Sequence, residues 1–237
     1  MSCFRRIFLF ALVCVSPLAA ADQLTGFPFQ NETLRYRVVW PGGGSLGDVT
    51  LAARQAGGGG WDFSMSATVA IPLVPVSDTY KSTVYGADLC SSSLQREISH
   101  GNKKVIEKTE FDQEANRAKR RTIVPAGGGG SEFDIPTCGR DALAYQYFAR
   151  REMGQGRVPP AAKVFFGSAY DVKVVYTGAQ DLAVAGKPVV TDHVNVSVKG
   201  PASDFTFEIF YARDAARTPL EIKIPVKAGT VSLELVR

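Results

Sequence analysis

The chain has 237 residues, with 27 basic and 23 acidic side chains, four cysteines and only two histidines. The formal net charge is +4, which is well below the strong positive charge typical of nucleic-acid-binding proteins. We therefore expect no nucleic acid among the partners. The scarcity of histidine and the absence of C-x-x-C and H-E-x-x-H patterns argue against metal and catalytic-triad chemistry. We therefore expect no metal, no cofactor and no catalytic residue.

Residues 1–21 have the features of an export signal. Two arginines precede a short apolar run over residues 7–15, and small side chains occupy the two positions that a signal peptidase reads. The residues at the expected cleavage site are Ala19, Ala21 and Asp22. We therefore predict a signal peptide, a mature chain that begins at Asp22 and a periplasmic, exported protein.

Two alternatives for this segment stay open. A membrane anchor is one, although nine apolar residues are about half of the ~20 that a spanning helix needs. Lipidation at Cys14 is the other, although the residues before it match the bacterial lipoprotein pattern poorly.

Cleavage removes Arg5 and Arg6, which reduces the basic residues from 27 to 25 against 23 acidic ones, a net charge of +2. No later apolar stretch approaches bilayer length, so we expect no membrane span after signal removal.

Alternation of apolar and polar residues begins at residue 34 and predicts strands with one buried face. The first apolar series are Leu34, Tyr36, Val38 and Trp40, then Trp61, Phe63, Met65, Ala67 and Val69. Glycines 42, 44 and 47 match the G-x-G-x-x-G spacing, but a strand follows them instead of the helix that a dinucleotide site requires. We interpret them as a hairpin turn, and the tetraglycines 57–60 and 127–130 as connections.

Cys90 and Cys138 are the two cysteines that remain after signal removal. In an oxidising compartment two thiols most simply form a disulfide. A free buried pair and a thiol nucleophile are the open alternatives.

The middle of the chain is rich in charge. Arg117, Lys119, Arg120 and Arg121 form its densest basic run. We interpret this run as an edge strand, where charges discourage sheet aggregation, with an anion or lipid-headgroup patch as the alternative. Glu107, Glu110 and Asp112 are interpreted as a solvated strand face.

One segment has helical spacing, and we predict an α-helix over about residues 141–151. Asp141 is a suitable N-cap, and Gly154 follows the last periodic residue as a stop signal. The apolar stripe comprises Leu143, Ala144, Tyr147 and Phe148. We expect this stripe to pack on the sheet, with the cysteine pair joining the helix start to the neighbouring strands.

Clear alternation returns in the last third of the chain. Its apolar series are Tyr170, Val172, Val174 and Tyr176; Val190, Val194, Val196 and Val198; Phe205, Phe207, Ile209 and Tyr211; and Val231, Leu233 and Leu235. His100 is expected to be solvated in a turn, and His193 to lie on the polar face of its strand.

Short glycine-containing links between the strands favour hairpins, because parallel neighbours need crossovers of a dozen or more residues. We predict a mainly β fold with about a dozen strands in a large antiparallel curved sheet, barrel or half-barrel-like. The expected organisation is a single β-rich domain over residues 22–237, with two smaller domains as the alternative.

Several stretches resemble an exported bacterial family known as domain of unknown function 3108. They are residues 34–38, residues 100–104 leading to Phe111 and Asp112, the helix from Asp141 to Arg150, and residues 214–219 with the ending 233–235. The resemblance implies a periplasmic or surface β protein, and it transfers no activity or catalytic residue.

The leading functional hypothesis is non-enzymatic binding of an apolar ligand, such as a lipid, or of an envelope protein. Many aromatic residues and one-faced strands are compatible with a barrel that encloses an apolar cavity, and equally with a filled sandwich. Two alternatives are a carboxylate-dependent hydrolase acting on envelope polymers and a structural component of an envelope complex.

Overall fold

The computed structural model describes residues 31–71, 74–201, 203–227 and 229–236. The predicted signal segment and its cleavage residues Ala19, Ala21 and Asp22 lie outside these residues. The described strands are β1 (Thr33–Val39), β2 (Ser45–Gln55), β3 (Trp61–Ile71), β4 (Val74–Tyr85), β5 (Cys90–His100), β6 (Lys103–Asp112), β7 (Arg117–Val124), β8 (Gly130–Asp134), β9 (Arg140–Asp141), β10 (Ala162–Phe165), β11 (Ala169–Val184), β12 (Lys187–Gly200), β13 (Ser203–Ala212), β14 (Pro219–Val226) and β15 (Gly229–Leu235). A short 3-10 turn (Gly57–Gly59) links β2 and β3, and the α-helix α1 (Ala142–Gly154) follows β9.

All these strands belong to one sheet, in the order β8-β7-β6-β5-β4-β3-β2-β1-β15-β14-β13-β12-β11-β10-β9. We call β1–β8 the first arm and β9–β15 the second arm; the ladder between β1 and β15 joins them. Every pairing is antiparallel except that of β9 with β10. The predicted mainly β, antiparallel fold with one helix is confirmed. The predicted strand number was too low because β8, β9 and β10 have only 5, 2 and 4 residues and show no alternation.

The sheet curves until its two arms touch. Phe165 of β10 packs against Phe111 of β6 and Phe133 of β8, with ring centroids 6.0 and 5.3 Å away. The amide of Ser91 donates to the carbonyl of Gly139 at 3.1 Å. The edge strands β8 and β9 are not paired with each other in the sheet. Among the described residues, side-chain packing and this backbone hydrogen bond therefore close the barrel-like shape, whereas a continuous hydrogen-bonded ladder would close a true barrel.

Four side chains of the predicted inward series are exposed: Trp40, Tyr176, Val190 and Phe205. Tyr176 and Val190 were expected to face inward but are 43% and 50% exposed. The register of β11 against β12 shifts between Tyr176 and Gly178, which ends the inward series on β11. Val190 lies beyond Thr191, where the pairing of β12 with β13 begins, so only β11 flanks it.

Helix α1 begins as predicted, with Asp141 as N-cap, but ends three residues later than the predicted Arg151. The stop signal is Gly156, which has a φ of 74° and donates to the carbonyl of Met153 at 3.0 Å. Gly154 is still helical, and a Cβ there would lie 3.0 Å from the carbonyl oxygen of Ala215. Its small size thus serves close packing instead of termination.

The basic run of residues 117–121 is not at the edge of the sheet. It forms β7, which β8 covers on one side and β6 on the other. Lys119 pairs with Glu132 at 2.8 Å, and Arg121 pairs with Glu110 at 3.3 Å. The edge-strand prediction was wrong because β8 has only five residues and begins at the end of the tetraglycine 127–130, so it shows no strand pattern of its own.

The main core lies between the curved sheet and α1. Buried helix residues pack with side chains of β3 and β4 in the first arm and of β10–β13 in the second. Within the described part of the chain, no helix combines the length and apolar character needed to cross a bilayer. The helix acts as an internal plug of the barrel-like sheet because both arms contribute side chains to the core around it.

Candidate functional site

A cavity of about 520 Å³ lies between α1 and the inner face of the second arm. The described residues that line it are mostly aliphatic and aromatic: Met65, Arg96, Ala142, Leu143, Tyr145, Gln146, Ala149, Val164, Phe166, Tyr170, Val172, Val174, Val196, Val198, Ser203, Phe205, Phe207, Ile209, Tyr211 and Ile222. This volume falls in the range of about 300–1,000 Å³ that is usual for small-molecule sites.

Cross-strand rows of apolar residues form the sheet wall of the cavity. Val174, Val196 and Phe207 lie in register on β11, β12 and β13. The adjacent row runs from Val172 on β11 to Phe205 on β13. The side chain of Phe205 is 40% exposed. Branched residues suit such a wall because their stiff side chains pack well on a pleated surface.

The helix contributes small side chains to the opposite wall. Ala142 and Ala149 fill little of the space between the helix and the sheet. Tyr145 also lines the cavity, and its hydroxyl donates to the carbonyl of Pro160 at 3.1 Å. Burial raises the pKa of the Tyr145 phenol to about 12, so it remains a neutral donor at physiological pH.

The start of the helix is fixed to the first arm. The Asp141 carboxylate is fully buried and accepts hydrogen bonds from the hydroxyls of Ser82 and Ser91, both at 2.6 Å, and from the amides of Leu143 and Ala144. Burial raises the pKa of this carboxyl, and the four hydrogen bonds oppose the rise.

A disulfide between Cys90 and Cys138 holds the same region, with the two Cα atoms 4.8 Å apart. It joins the first residue of β5 to the segment just before β9, which is the link predicted from the sequence. The helix start is therefore held both covalently and by hydrogen bonds.

The last turns of the helix are fixed by an ion pair. Arg150 is fully buried and donates through both terminal nitrogens to the carboxylate of Glu32 at 2.8 Å. Its Nε donates to the carbonyls of Ala216 and Arg217 at 3.0 and 3.2 Å. Burial alone would lower the pKa of Arg150, but the hydrogen bonds and charge of Glu32 outweigh that effect and raise it. These contacts hold the end of the helix to Glu32, just before β1, and to the link between β13 and β14.

A charged layer extends from the cavity along the inner face of the first arm. Arg96 of β5 lines the cavity and donates to Glu107 of β6 at 3.0 Å. The side chains of Arg96, Glu107 and Asp78 are 16%, 14% and 13% exposed. Arg96 is flanked on this face of β5 by the apolar residues Leu94 and Ile98, and it gives the cavity a polar end.

Neither histidine lies in the cavity wall. His193 is on the opposite face of β12 from Val196, with Nε2 3.0 Å from Glu208 and Nδ1 2.7 Å from the hydroxyl of Thr177. That hydroxyl also donates to the carbonyl of His193 at 2.9 Å. The three groups thus form a surface network outside the cavity. The side chain of His100 is 44% exposed, as expected, and its Nε2 lies 3.1 Å from the carboxylate of Asp78.

The three acidic residues of β6 do not share one face. Glu110 is 45% exposed and pairs with Lys108 at 2.9 Å. Glu107 turns inward to Arg96, so its interpretation as solvated was wrong. The reason is parity: residue 107 is an odd number of positions from residues 110 and 112, which places it on the other side of the strand.

No set of three or more His, Cys, Asp or Glu side chains among the described residues is placed to hold a metal ion. The glycine segments at 42–47, 57–60 and 127–130 lie in or beside the links between β1 and β2, β2 and β3, and β7 and β8.

Arg96 is the cavity residue that the sequence interpretation missed. Leu94 and Ile98 flank it at a spacing of two, and this pattern places Arg96 on the same inward face. A charged residue within an apolar series was therefore the available signal.

Comparison with known proteins identifies a family and a fold. A family model described as a protein of unknown function, DUF3108, matches residues 35–236. The chain is also similar in fold to a β-barrel-like protein of domain of unknown function DUF1849 from Brucella abortus, at 10% sequence identity and a TM-score of 0.62, over 86% of this chain and 95% of that one. None of the curated proteins matches. The chain belongs to the DUF3108 family.

Proposed function

We propose that this chain is a non-enzymatic binding protein that holds the hydrocarbon chain of a lipid-like ligand between α1 and the second arm. The observation that carries the proposal is the apolar cavity of about 520 Å³ within the curved sheet. Hydrocarbon burial contributes roughly 25 cal/mol per Å² of apolar surface removed from water, so such a wall suits an apolar chain.

The anchored helix supports the proposal. Asp141 and the disulfide hold one end of α1, and Arg150 holds the other. An unfilled space lined by apolar groups loses dispersion contacts, and a core without such anchors would relax to fill it. The fold therefore maintains a preformed space that a ligand can enter without reorganising the sheet.

The test is the uptake of a fluorescent fatty-acyl probe by the delipidated protein. Val196→Trp fills the middle of the wall and should abolish uptake. Ser197→Trp adds the same side chain on the other face of β12 and should leave uptake unchanged. Uptake by Val196→Trp equal to that of the wild type, or no uptake by the wild type, would overturn the proposal.

The location is also a proposal, and the sequence of residues 1–21 supports it. An exported, periplasmic protein would lose this segment, and N-terminal sequencing of the mature form should then begin at Asp22. A mature form that retains Met1 in the cytoplasm would contradict this location.

A further inference from the structure

We infer that the ligand is a single-chain amphiphile with an anionic head group and that Arg96 binds this head group. The inference rests on the proposed function, since it concerns the polar end of the same cavity. Among the described residues that line the cavity, Arg96 is the one with a charged side chain.

Arg96 has unused hydrogen-bonding capacity. Its Nη1 donates to Glu107 at 3.0 Å. Its Nε is buried and has no hydrogen-bond partner among the described residues. Its Nη2 also donates to none of them. Nε and Nη2 form one edge of the guanidinium, and this edge matches the two oxygens of a carboxylate or phosphate.

The guanidinium is held in place before any ligand arrives. It lies over the ring of Phe166, with Cζ 4.7 Å from the ring centroid. Gly167 has a φ of 76°, and a Cβ at this position would collide with Nη1 of Arg96. The ion pair with Glu107 holds Nη1 of the guanidinium. Such preorganisation lowers the cost of ordering the side chain on binding.

The charge of the lining selects an anion over a cation. Glu107 is engaged by Arg96 and is absent from the residues that line the cavity. Gln146, Ser203 and the tyrosines supply neutral polar groups only. The buried, unpaired Nε donor of this cation gains most from a charged acceptor, because a charge-assisted hydrogen bond is stronger than a neutral one.

The experiment compares palmitate, hexadecanol and hexadecylamine, which share one chain and differ in head group, by isothermal titration into the delipidated full chain. Arg96→Gln should weaken palmitate binding about 10-fold to 100-fold, as expected for loss of hydrogen bonds to a charged group. Hexadecanol should change by no more than about threefold, because its hydroxyl carries no charge. Lys108→Gln, which removes one charge from the outer face of β6, is the matched control and should change neither affinity.

Glu107→Gln provides a second variant that leaves Arg96 in place. Its amide oxygen still accepts from Nη1 and holds the guanidinium, but the variant removes the negative charge that opposes an anionic head group. Palmitate binding should therefore tighten, and weaker palmitate binding would contradict the role of Arg96.

The head-group inference fails while the proposed function stands if the wild type binds all three probes equally, if it prefers hexadecylamine, or if Arg96→Gln leaves palmitate binding unchanged. Failure of every probe to bind the wild type would overturn both.

Discussion

The two sides of helix α1 meet the sheet in different ways. Toward the first arm, Tyr147 stacks on Phe63 with ring centroids 4.1 Å apart. Toward the second arm, Ala142 and Ala149 face a wall of valines across a cavity of about 520 Å³. We call these the packed side and the cavity side. Under the proposed function, the difference teaches that stability and binding depend on opposite faces of one helix.

The largest expected effect tests the packed side. Phe63→Ala should lower the free energy of unfolding by about 3–5 kcal/mol, because it opens a void in a filled core. Phe207→Ala should cost at most about half as much, because Phe207 is only partly buried and already borders open space. Urea unfolding with the disulfide intact measures both. Equal losses would show that the two sides do not differ.

The disulfide anchors the helix start on which both sides depend. Replacing Cys90 and Cys138 together by alanine should lower the free energy of unfolding by about 2–4 kcal/mol, because the bond closes a long loop in the unfolded chain. The two cysteines are 48 positions apart. Thermal and urea unfolding of the double variant and the oxidised wild type measure the effect. An unchanged unfolding midpoint would show that the disulfide does not stabilise the fold.

The buried cap provides the next anchor. Asp141→Ala should lower the free energy of unfolding by about 2–3 kcal/mol, because it leaves the serine hydroxyls and two helix amides without their acceptor. Asp141→Asn should cost less, since its amide retains an acceptor for the helix amides and removes a buried charge. The same urea series ranks the variants, and equal losses would contradict the importance of these hydrogen bonds.

The smallest effect is a pH dependence. Because the pKa of Asp141 is raised in the folded state, the folded chain holds this proton at pH values where the unfolded chain has lost it. The stabilisation that this carboxyl contributes is therefore present below pH 3.8, its ordinary pKa. It is lost as the pH rises through the raised pKa of the folded state. The free energy of unfolding of the wild type relative to Asp141→Asn should thus decline with rising pH over this window. A relative increase would mean that the hydrogen bonds dominate and lower the pKa.

The sequence predicts local features of the fold well. Inward positions such as Tyr36, Val174 and Val196 follow from alternation, and Asp141 follows from the rules for helix caps. The partners of these residues are distant in sequence and do not follow. Ser82 is 59 positions from Asp141, and Glu32 is 118 positions from Arg150.

The cavity itself leaves no local pattern in the sequence. The valines of β11 and β12 show the same alternation whether the helix packs directly on the sheet or is separated from it by a cavity. Alternation therefore does not predict the cavity. The anchors at the two ends of α1 place the helix against the sheet, and they depend on contacts between residues that are distant in sequence. The charged end of the cavity could nevertheless be predicted from Arg96, because it is a charged residue within a series of inward-facing apolar residues.

The most direct measurement is nuclear magnetic resonance of the delipidated protein, with labelled valine methyls and one equivalent of palmitate. We predict cross-relaxation between the acyl chain and the methyls of Val174 and Val196, and none to the outward-facing Val175. An acyl chain that contacts only outward-facing methyls, or none at all, would contradict a binding cavity on the second-arm side of the helix.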